Sequence, residues 1–194
     1  GFSDTMRLTL RMETKLVEDN RELFEEKQVG EWSFQLLIDD QGTAEISCYK
    51  DGKQLKSIPA KAKKDPYVVR LQEMKKQLTE QYRRTRRMFE QAMEDCAEFT
   101  LEEMQQLCEN PVVSPIVSKL IFKSEDALGL FDGVNLNDLD GLTLEDRADA
   151  KLIVAHPLHL YKSGKWHVFQ KYLFDNKIVQ PFRQVFRELY VKTK

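Results

Sequence analysis

The chain has 194 residues, of which 41% are hydrophobic and 32% charged, and its formal net charge is −2. This length and composition suit one domain with a core and a well-solvated surface. The sequence has no run of 18 apolar residues, which excludes a membrane-spanning helix, and no secretory signal peptide. Because it begins with Gly1 rather than Met, we expect it to be part of a larger protein.

The first thirty residues are interpreted as an N-terminal extension with an ambiguous pattern. Residues 6–11 alternate between apolar and polar, as a half-buried strand would. The acidic stretch 13–26 contains apolar residues that fit a short helix instead. Both alternatives remain open from the sequence.

A β-meander is predicted over residues 31–59. Residues 31–39 and 43–50 alternate in hydrophobicity, and residues 54–58 form a third predicted strand. Asp51-Gly52 between the last two strands is a strong hairpin signal, because a type I′ turn needs positive φ at both central residues.

One long helix is predicted over residues 65–96. Asp65 is a favourable N-cap and Pro66 a favourable first residue. An apolar stripe at helical spacing runs along it, formed by Tyr67, Leu71, Met74, Leu78, Tyr82, Thr85, Phe89, Ala92 and Cys96. We expect the meander and the C-terminal helices to pack on this stripe.

The remaining half of the chain is predicted to be mixed. Thr100 and Glu103 have the spacing of a capping box for a helix over residues 99–110. The further predicted elements are a short helix from Pro115, strands at 120–123, 128–131 and 151–155, a helix or turn at 144–150, and helices at 165–177 and from 182 to about 189.

These elements predict an α+β fold, with an antiparallel β-meander packed with one long helix (about 65–96) and a C-terminal helical and mixed region. We interpret residues 1–194 as one domain. Its parts are the extension (1–30), the meander (31–59), a helical part (65–110) and a mixed C-terminal part (111–194).

Charge is strongly segregated along the chain. Residues 61–87 contain ten Lys or Arg and three Asp or Glu, whereas residues 88–150 contain three and fifteen. The most basic run lies on the long helix, and its predicted binding residues are Lys75, Lys76, Arg83, Arg84, Arg86 and Arg87. Two interpretations follow: pairing with the acidic 88–150 segment or a protein partner, or contact with nucleic acid phosphates.

Cysteine and metal-ligand patterns are weak. Cys48, Cys96 and Cys108 form no CxxC, so we predict free thiols in a reducing, cytoplasmic compartment. The acidic loop 132–143 fails the ligand spacing of a calcium-binding EF-hand. The sequence predicts no metal and no cofactor, and it lacks the common hydrolase, dinucleotide and P-loop motifs.

The C-terminal part is the second place where chemistry could concentrate. His156 and His159 lie three residues apart, and the surrounding stretch is rich in polar and aromatic residues. One hypothesis is therefore a small-ligand or enzymatic pocket lined by His156, His159, Trp166, Gln180 and Arg187.

Three segments resemble a known family. They are DGKQLKSIPAKAKKDP before the Arg-rich helix, AHPLHLYKSGKW, and QPFRQVFRELY. Over roughly residues 31–192 the chain resembles the bacterial domain of unknown function near the C-terminus of MolR-type proteins, which are labelled molybdate metabolism regulators and often carry a WGR domain.

The resemblance implies a regulatory setting rather than a reaction, and it transfers no catalytic residue. We therefore expect a non-enzymatic regulatory or protein-interaction module whose partners are other domains of the parent or another protein. The alternatives are a nucleic-acid-associated module and a small-ligand or enzymatic domain linked to molybdate or molybdopterin metabolism.

Overall fold

The computed structural model describes residues 4–185 and has an α+β fold, as predicted. The helices are α1 (Asp4–Asp19), α2 (Pro66–Asp95), α3 (Leu101–Leu107), α4 (Ser114–Val117), α5 (Pro157–Lys162) and α6 (Trp166–Asp175), with a 3₁₀ turn at Arg21–Phe24. The strands are β1 (Lys27–Val29), β2 (Trp32–Ile38), β3 (Ala44–Lys50), β4 (Lys53–Leu55), β5 (Glu98–Thr100), β6 (Ile121–Ser124), β7 (Ala127–Phe131), β8 (Leu136–Asn137), β9 (Thr143–Glu145) and β10 (Lys151–Val154).

The predicted meander forms an antiparallel sheet in the order β1-β2-β3-β4, called the small sheet below. Asp51 and Gly52 both have positive φ, as the hairpin prediction requires. Two details differ from the prediction. The structure adds β1, and the strand after the turn ends at Leu55 rather than at residue 58.

A second antiparallel sheet, the large sheet, has the order β5-β10-β6-β7-β8-β9. Strands β6, β7 and β10 confirm the predictions near residues 120–123, 128–131 and 151–155. The prediction of a helix or turn at 144–150 is wrong where β9 extends to Glu145. Strand β5 was also missed, because its three residues become extended through pairing with β10.

The N-terminal stretch is one helix, so the strand alternative for residues 6–11 is wrong. Leu10, Glu13 and Val17 are the buried residues of α1, and their spacing of three and four is helical. Leu10 packs in the core beside the large sheet, whereas Val17 packs in the core beside the small sheet.

Helix α2 confirms the central prediction. Asp65 caps it by accepting a hydrogen bond from the Tyr67 N–H at 2.8 Å. Its first half packs in the small-sheet core, which includes Phe34, Leu36, Val68, Leu71, Met74 and Leu78. Its second half packs in the large-sheet core, which includes Met88, Phe89, Ala92, Met93, Met104 and Val154.

The expectation that the C-terminal helices pack on α2 is wrong for α5 and α6. They form a separate outer core that includes Ile121, Leu128, Leu160, Phe169 and Leu173. Ile121 and its neighbour Phe122 belong to different cores because successive residues of a strand point to opposite faces of the sheet. Residues 182–185 are not helical, and the rest of the predicted last helix lies outside the described residues.

The turn between β2 and β3 is packed against α2. Gly42 has φ of 79°, and a Cβ placed there would lie 2.1 Å from the Tyr82 ring. The Lys119 ammonium also donates to the Asp40 carbonyl in this turn. Only glycine fits this position without displacing the ring, so the turn between β2 and β3 packs closely against α2.

Candidate functional site: a basic helix face and the segment beside it

The six basic residues predicted to bind a partner all lie exposed on α2. Lys76, Arg83 and Arg87 share one narrow stripe, because seven and four residues are close to whole helical turns. The stripe is about 16 Å long at 1.5 Å per residue. Between residues 75 and 87 only Glu80 carries negative charge, so this face has a dense positive potential.

Arg84 is the member of the run that pairs within the chain. Its Nε donates to Glu13 Oε1 of α1 at 2.7 Å. Glu13 lies outside the acidic 88–150 segment, so that segment does not supply the partner of Arg84. Among residues 4–185, no carboxylate lies within 4 Å of the guanidinium of Arg83, Arg86 or Arg87.

One carboxylate of the acidic segment, that of Glu103, pairs with α1. Arg7 binds the Glu103 carboxylate and the Glu98 carbonyl, and the Arg11 guanidinium lies 3.9 Å from Glu103. Thr100 Oγ1 accepts the Glu103 N–H at 3.0 Å, which confirms one half of the predicted capping box. The other half is wrong, because the Glu103 carboxylate binds Arg7 rather than the Thr100 N–H. The carboxylate of Glu103 is thus used to attach α1.

Glu13 is held between α1 and α2 in a partly desolvated position. Burial raises the pKa of its carboxyl group, and the Arg84 guanidinium opposes that rise. Glu13 Oε2 is buried and has no hydrogen-bond partner among residues 4–185. The ion pair therefore positions Arg84, but only one of the two Glu13 carboxylate oxygens has a hydrogen-bond partner among residues 4–185.

His156 and His159 come together, but as a helix cap. His156 Nδ1 accepts the Leu158 N–H at 3.1 Å, and His159 Nδ1 accepts the His156 N–H at 3.1 Å. His156 Nε2 lies 3.5 Å from a carboxylate oxygen of Glu94 at the end of α2. Burial, followed by Lys123, lowers the pKa of His159. Both imidazoles therefore use Nδ1 to satisfy backbone donors at the start of α5.

Two other predicted pocket residues, Trp166 and Gln180, contact the core and the backbone. Trp166 is half-buried and packs on the outer core. The Gln180 amide donates to the Lys119 carbonyl at 3.0 Å and to Gln184 Oε1 at 2.9 Å. Arg187 lies outside the described residues.

Gln184 was not predicted as a site residue, although both the oxygen and the nitrogen of its side-chain amide have hydrogen-bond partners. It is fully buried, accepts the Ile121 N–H at 2.9 Å, and donates to the carbonyls of Ile121 and Ala155 at 2.7 and 2.8 Å. It thereby attaches the segment after α6 to the large sheet, where β6 begins and β10 ends.

The segment held by these glutamines meets α2. Arg86, Arg87 and Glu90 of α2 line a cavity of about 360 Å³ together with Pro181, Phe182 and Arg183. Arg183 was not among the predicted binding residues, because a single cation 96 residues beyond Arg87 gives no local signal of proximity.

Neither a metal-binding cluster nor a helix that could span a membrane occurs in the described part of the chain. Residues 4–185 contain no group of three or more His, Cys, Asp or Glu side chains that could hold a metal ion. None of the helices there is long and apolar enough to cross a membrane. The three cysteines are free thiols, as predicted.

Comparison with known families identifies the family of this chain. The family described as "Domain of unknown function (DUF4132)" matches residues 52–194. The chain belongs to that family. Comparison with curated proteins and with solved structures finds no match.

The DUF4132 match confirms that the resemblance is to a domain of unknown function. It begins at Gly52, whereas the resemblance was expected from about residue 31. Helix α1 and strands β1 to β3 therefore precede the matched part. The Arg-rich helix, the histidine cap and the segment around Arg183 all lie within it.

Proposed function

We propose that this DUF4132 chain is a non-enzymatic interaction module that docks an acidic protein surface on the exposed basic face of α2. The observation that carries the proposal is the stripe of Lys76, Arg83 and Arg87, which is solvent-exposed and backed by the buried side of a well-anchored helix. The acidic segment 88–150, which could have neutralised it, supplies Glu103 to α1 instead.

Charge distribution favours an acidic protein over nucleic acid. Glu80 lies within the face, and Glu90 and Glu94 continue the same side of the helix toward its C-terminus. A duplex presents a uniform row of phosphates, which these carboxylates would repel. An acidic polypeptide can avoid this repulsion, because its carboxylates can lie beside the cations and away from Glu80, Glu90 and Glu94.

The proposal includes the setting of the module. We place it in the cytoplasm within a larger MolR-type regulatory protein, where the docked surface belongs to another domain of the parent or to a separate protein. The resemblance of the quoted segments supports this setting. The histidine cap, which engages both imidazoles in helix α5, supports a structural rather than a catalytic use of His156 and His159.

The test compares two charge-reversed triples by fluorescence anisotropy. Labelled poly-L-glutamate serves as the acidic polypeptide and a 20-base-pair DNA duplex as the nucleic acid. The first variant is Lys76→Glu/Arg83→Glu/Arg87→Glu on the α2 stripe. The matched control is Lys162→Glu/Lys165→Glu/Lys171→Glu, which reverses three exposed lysines elsewhere and changes net charge equally.

We expect the α2 triple to weaken poly-glutamate binding roughly tenfold, since three exposed contacts at about 0.5 kcal/mol each give that factor. The control should change it by less than about threefold, because only the net charge is altered. Equal effects of the two triples would refute the docking face. If the wild-type protein binds the duplex more tightly than poly-glutamate, and the α2 triple loses the binding of the duplex, the nucleic-acid alternative replaces the protein proposal.

A further inference from the structure

The C-terminal end of the basic face differs from the rest because a third arginine reaches it from another part of the chain. Arg86 and Arg87 on α2 and Arg183 after α6 line the same cavity of about 360 Å³. That volume is near the lower end of the range for small-molecule sites, about 300–1,000 Å³. This cavity is therefore a place where one anionic group can contact three guanidinium groups from two parts of the chain.

Arg183 is fixed in place by its neighbours. Gln180 binds the Lys119 carbonyl, and Gln184 binds backbone groups of the large sheet. Phe182, only 8% exposed, packs in the large-sheet core. Because residues on both sides are anchored, the backbone at Arg183 stays beside α2 with little entropy left to lose on binding.

The opposite wall is equally well supported. Met88 and Phe89 follow Arg86 and Arg87 directly and are buried in the large-sheet core. The two guanidinium groups therefore project from a rigid part of α2. The site is formed by rigid elements on both sides, which is the arrangement that favours specific rather than diffuse anion binding.

The charge of the cavity selects the class of ligand. Three guanidinium groups and the Glu90 carboxylate give the cavity a formal net charge of +2. A phosphomonoester is close to a dianion near neutral pH, and guanidinium forks bind its oxygens bidentately. A phosphodiester carries a single negative charge, so it would leave the cavity with uncompensated positive charge.

We propose that Arg86, Arg87 and Arg183 form a phosphomonoester site, with Glu90 accepting a hydrogen bond from a hydroxyl or amide N–H next to the phosphoryl group. The inference rests on the proposed function, because the cavity lies at the C-terminal end of the proposed docking face on α2. The phosphoryl group belongs either to a phosphorylated side chain of the docking partner or to a free phosphomonoester.

Isothermal titration calorimetry with phenyl phosphate tests the site directly. The informative variant is Arg183→Gln, and the matched control is Arg83→Gln, which removes the same charge from the α2 face outside the cavity. Both positions are exposed, so both variants are expected to fold. We expect Arg183→Gln to weaken binding about tenfold and Arg83→Gln to change it less than about twofold.

Two further ligands define the chemistry and its source. Dimethyl phosphate, a monoanion, should bind at least about tenfold more weakly than phenyl phosphate. A five-residue peptide with a central phosphoserine, compared with its unphosphorylated form, distinguishes the sources. Tighter binding of the phosphopeptide than of phenyl phosphate assigns the site to a phosphorylated partner, and equal or weaker binding assigns it to a free phosphomonoester.

The proposal is overturned if phenyl phosphate does not bind, if Arg183→Gln and Arg83→Gln have the same effect, or if dimethyl phosphate binds equally well. These failures are separable from failure of the docking face. If the protein binds phenyl phosphate but does not bind poly-glutamate, only the docking face is refuted. If the protein binds poly-glutamate but does not bind phenyl phosphate, only the phosphomonoester site is refuted.

Discussion

The substitution Gln184→Leu should destabilise the protein, although it exchanges a buried side chain for one of similar size. It removes the partner of the Ile121 N–H and of the Ala155 carbonyl, whereas the Ile121 carbonyl retains the Ala155 N–H at 2.9 Å. A buried backbone group left unpaired costs about 1–3 kcal/mol. With part of this offset by added apolar burial, we expect a loss of about 3 kcal/mol in the free energy of unfolding.

Urea denaturation measures this loss. With a slope of about 2 kcal/mol/M, the midpoint should fall by about 1.5 M. Gln72→Leu on the exposed side of α2 is the control and should change the midpoint little. Gln184→Glu should be at least as harmful as Gln184→Leu near neutral pH, because it buries a carboxylate that cannot donate. If Gln184→Leu is no more destabilising than Gln72→Leu, the amide does not attach this segment.

Three other measurements examine separate parts of the fold. Gly42→Ala should lower the free energy of unfolding, measured in urea, by about 2–4 kcal/mol, because it combines a strained positive φ with displacement of an aromatic ring. Gly52→Ala is the control, since it has a similar φ but open space around it, and it should lower the free energy of unfolding by about 1–2 kcal/mol. Equal losses in the two variants would argue against the ring contact. Burial raises the pKa of Glu13 above its ordinary value, so this carboxyl group binds more protons in the folded state than in the unfolded state. Its own contribution to stability is therefore present at low pH and is lost as pH rises through the folded pKa. The stability advantage of Glu13→Gln over wild type should therefore be larger at about pH 7 than at about pH 4, and a constant or reversed difference would contradict the raised pKa. Burial raises the pKa of Cys108 to about 12, whereas Cys96 is exposed. Iodoacetamide should therefore label Cys96 at least about tenfold faster than Cys108 in the native protein, as measured by peptide mass spectrometry. Comparable labelling rates would show that Cys108 is accessible.

The parts of the fold that the sequence could predict are those with long or chemically distinctive local patterns. The 30 residues of α2 show the same period many times over, and Asp51-Gly52 requires a specific backbone conformation. Residues 6–11 are too few to separate a period of 2 from one of 3.6. Strands of three residues, such as β5 and β9, depend on their partners in the large sheet, so their own sequence contains little information.

The same distinction applies to the candidate sites. The exposure of Arg83 and Arg87 follows from helical spacing, so their position on the surface was predictable. The pairing of Arg84 with Glu13 joins residues 71 positions apart, and the approach of Arg183 to Arg87 depends on how the segment after α6 is anchored. Such contacts depend on tertiary packing, and the local sequence pattern around each residue does not predict them.

Because α2 is shared between two cores, the limits of the sequence family and of the folding unit differ. The DUF4132 match begins at Gly52, in the turn between β3 and β4. A recombinant fragment starting there would retain all of α2 but lose β1, β2 and β3, which supply Phe34 and Leu36 to its first half. Leu71 and Leu78, now fully enclosed, would face water, and such a fragment would tend to aggregate or recruit a foreign strand. Biochemical work on this chain therefore requires α1 and strands β1 to β3, although they precede the part that matches the family.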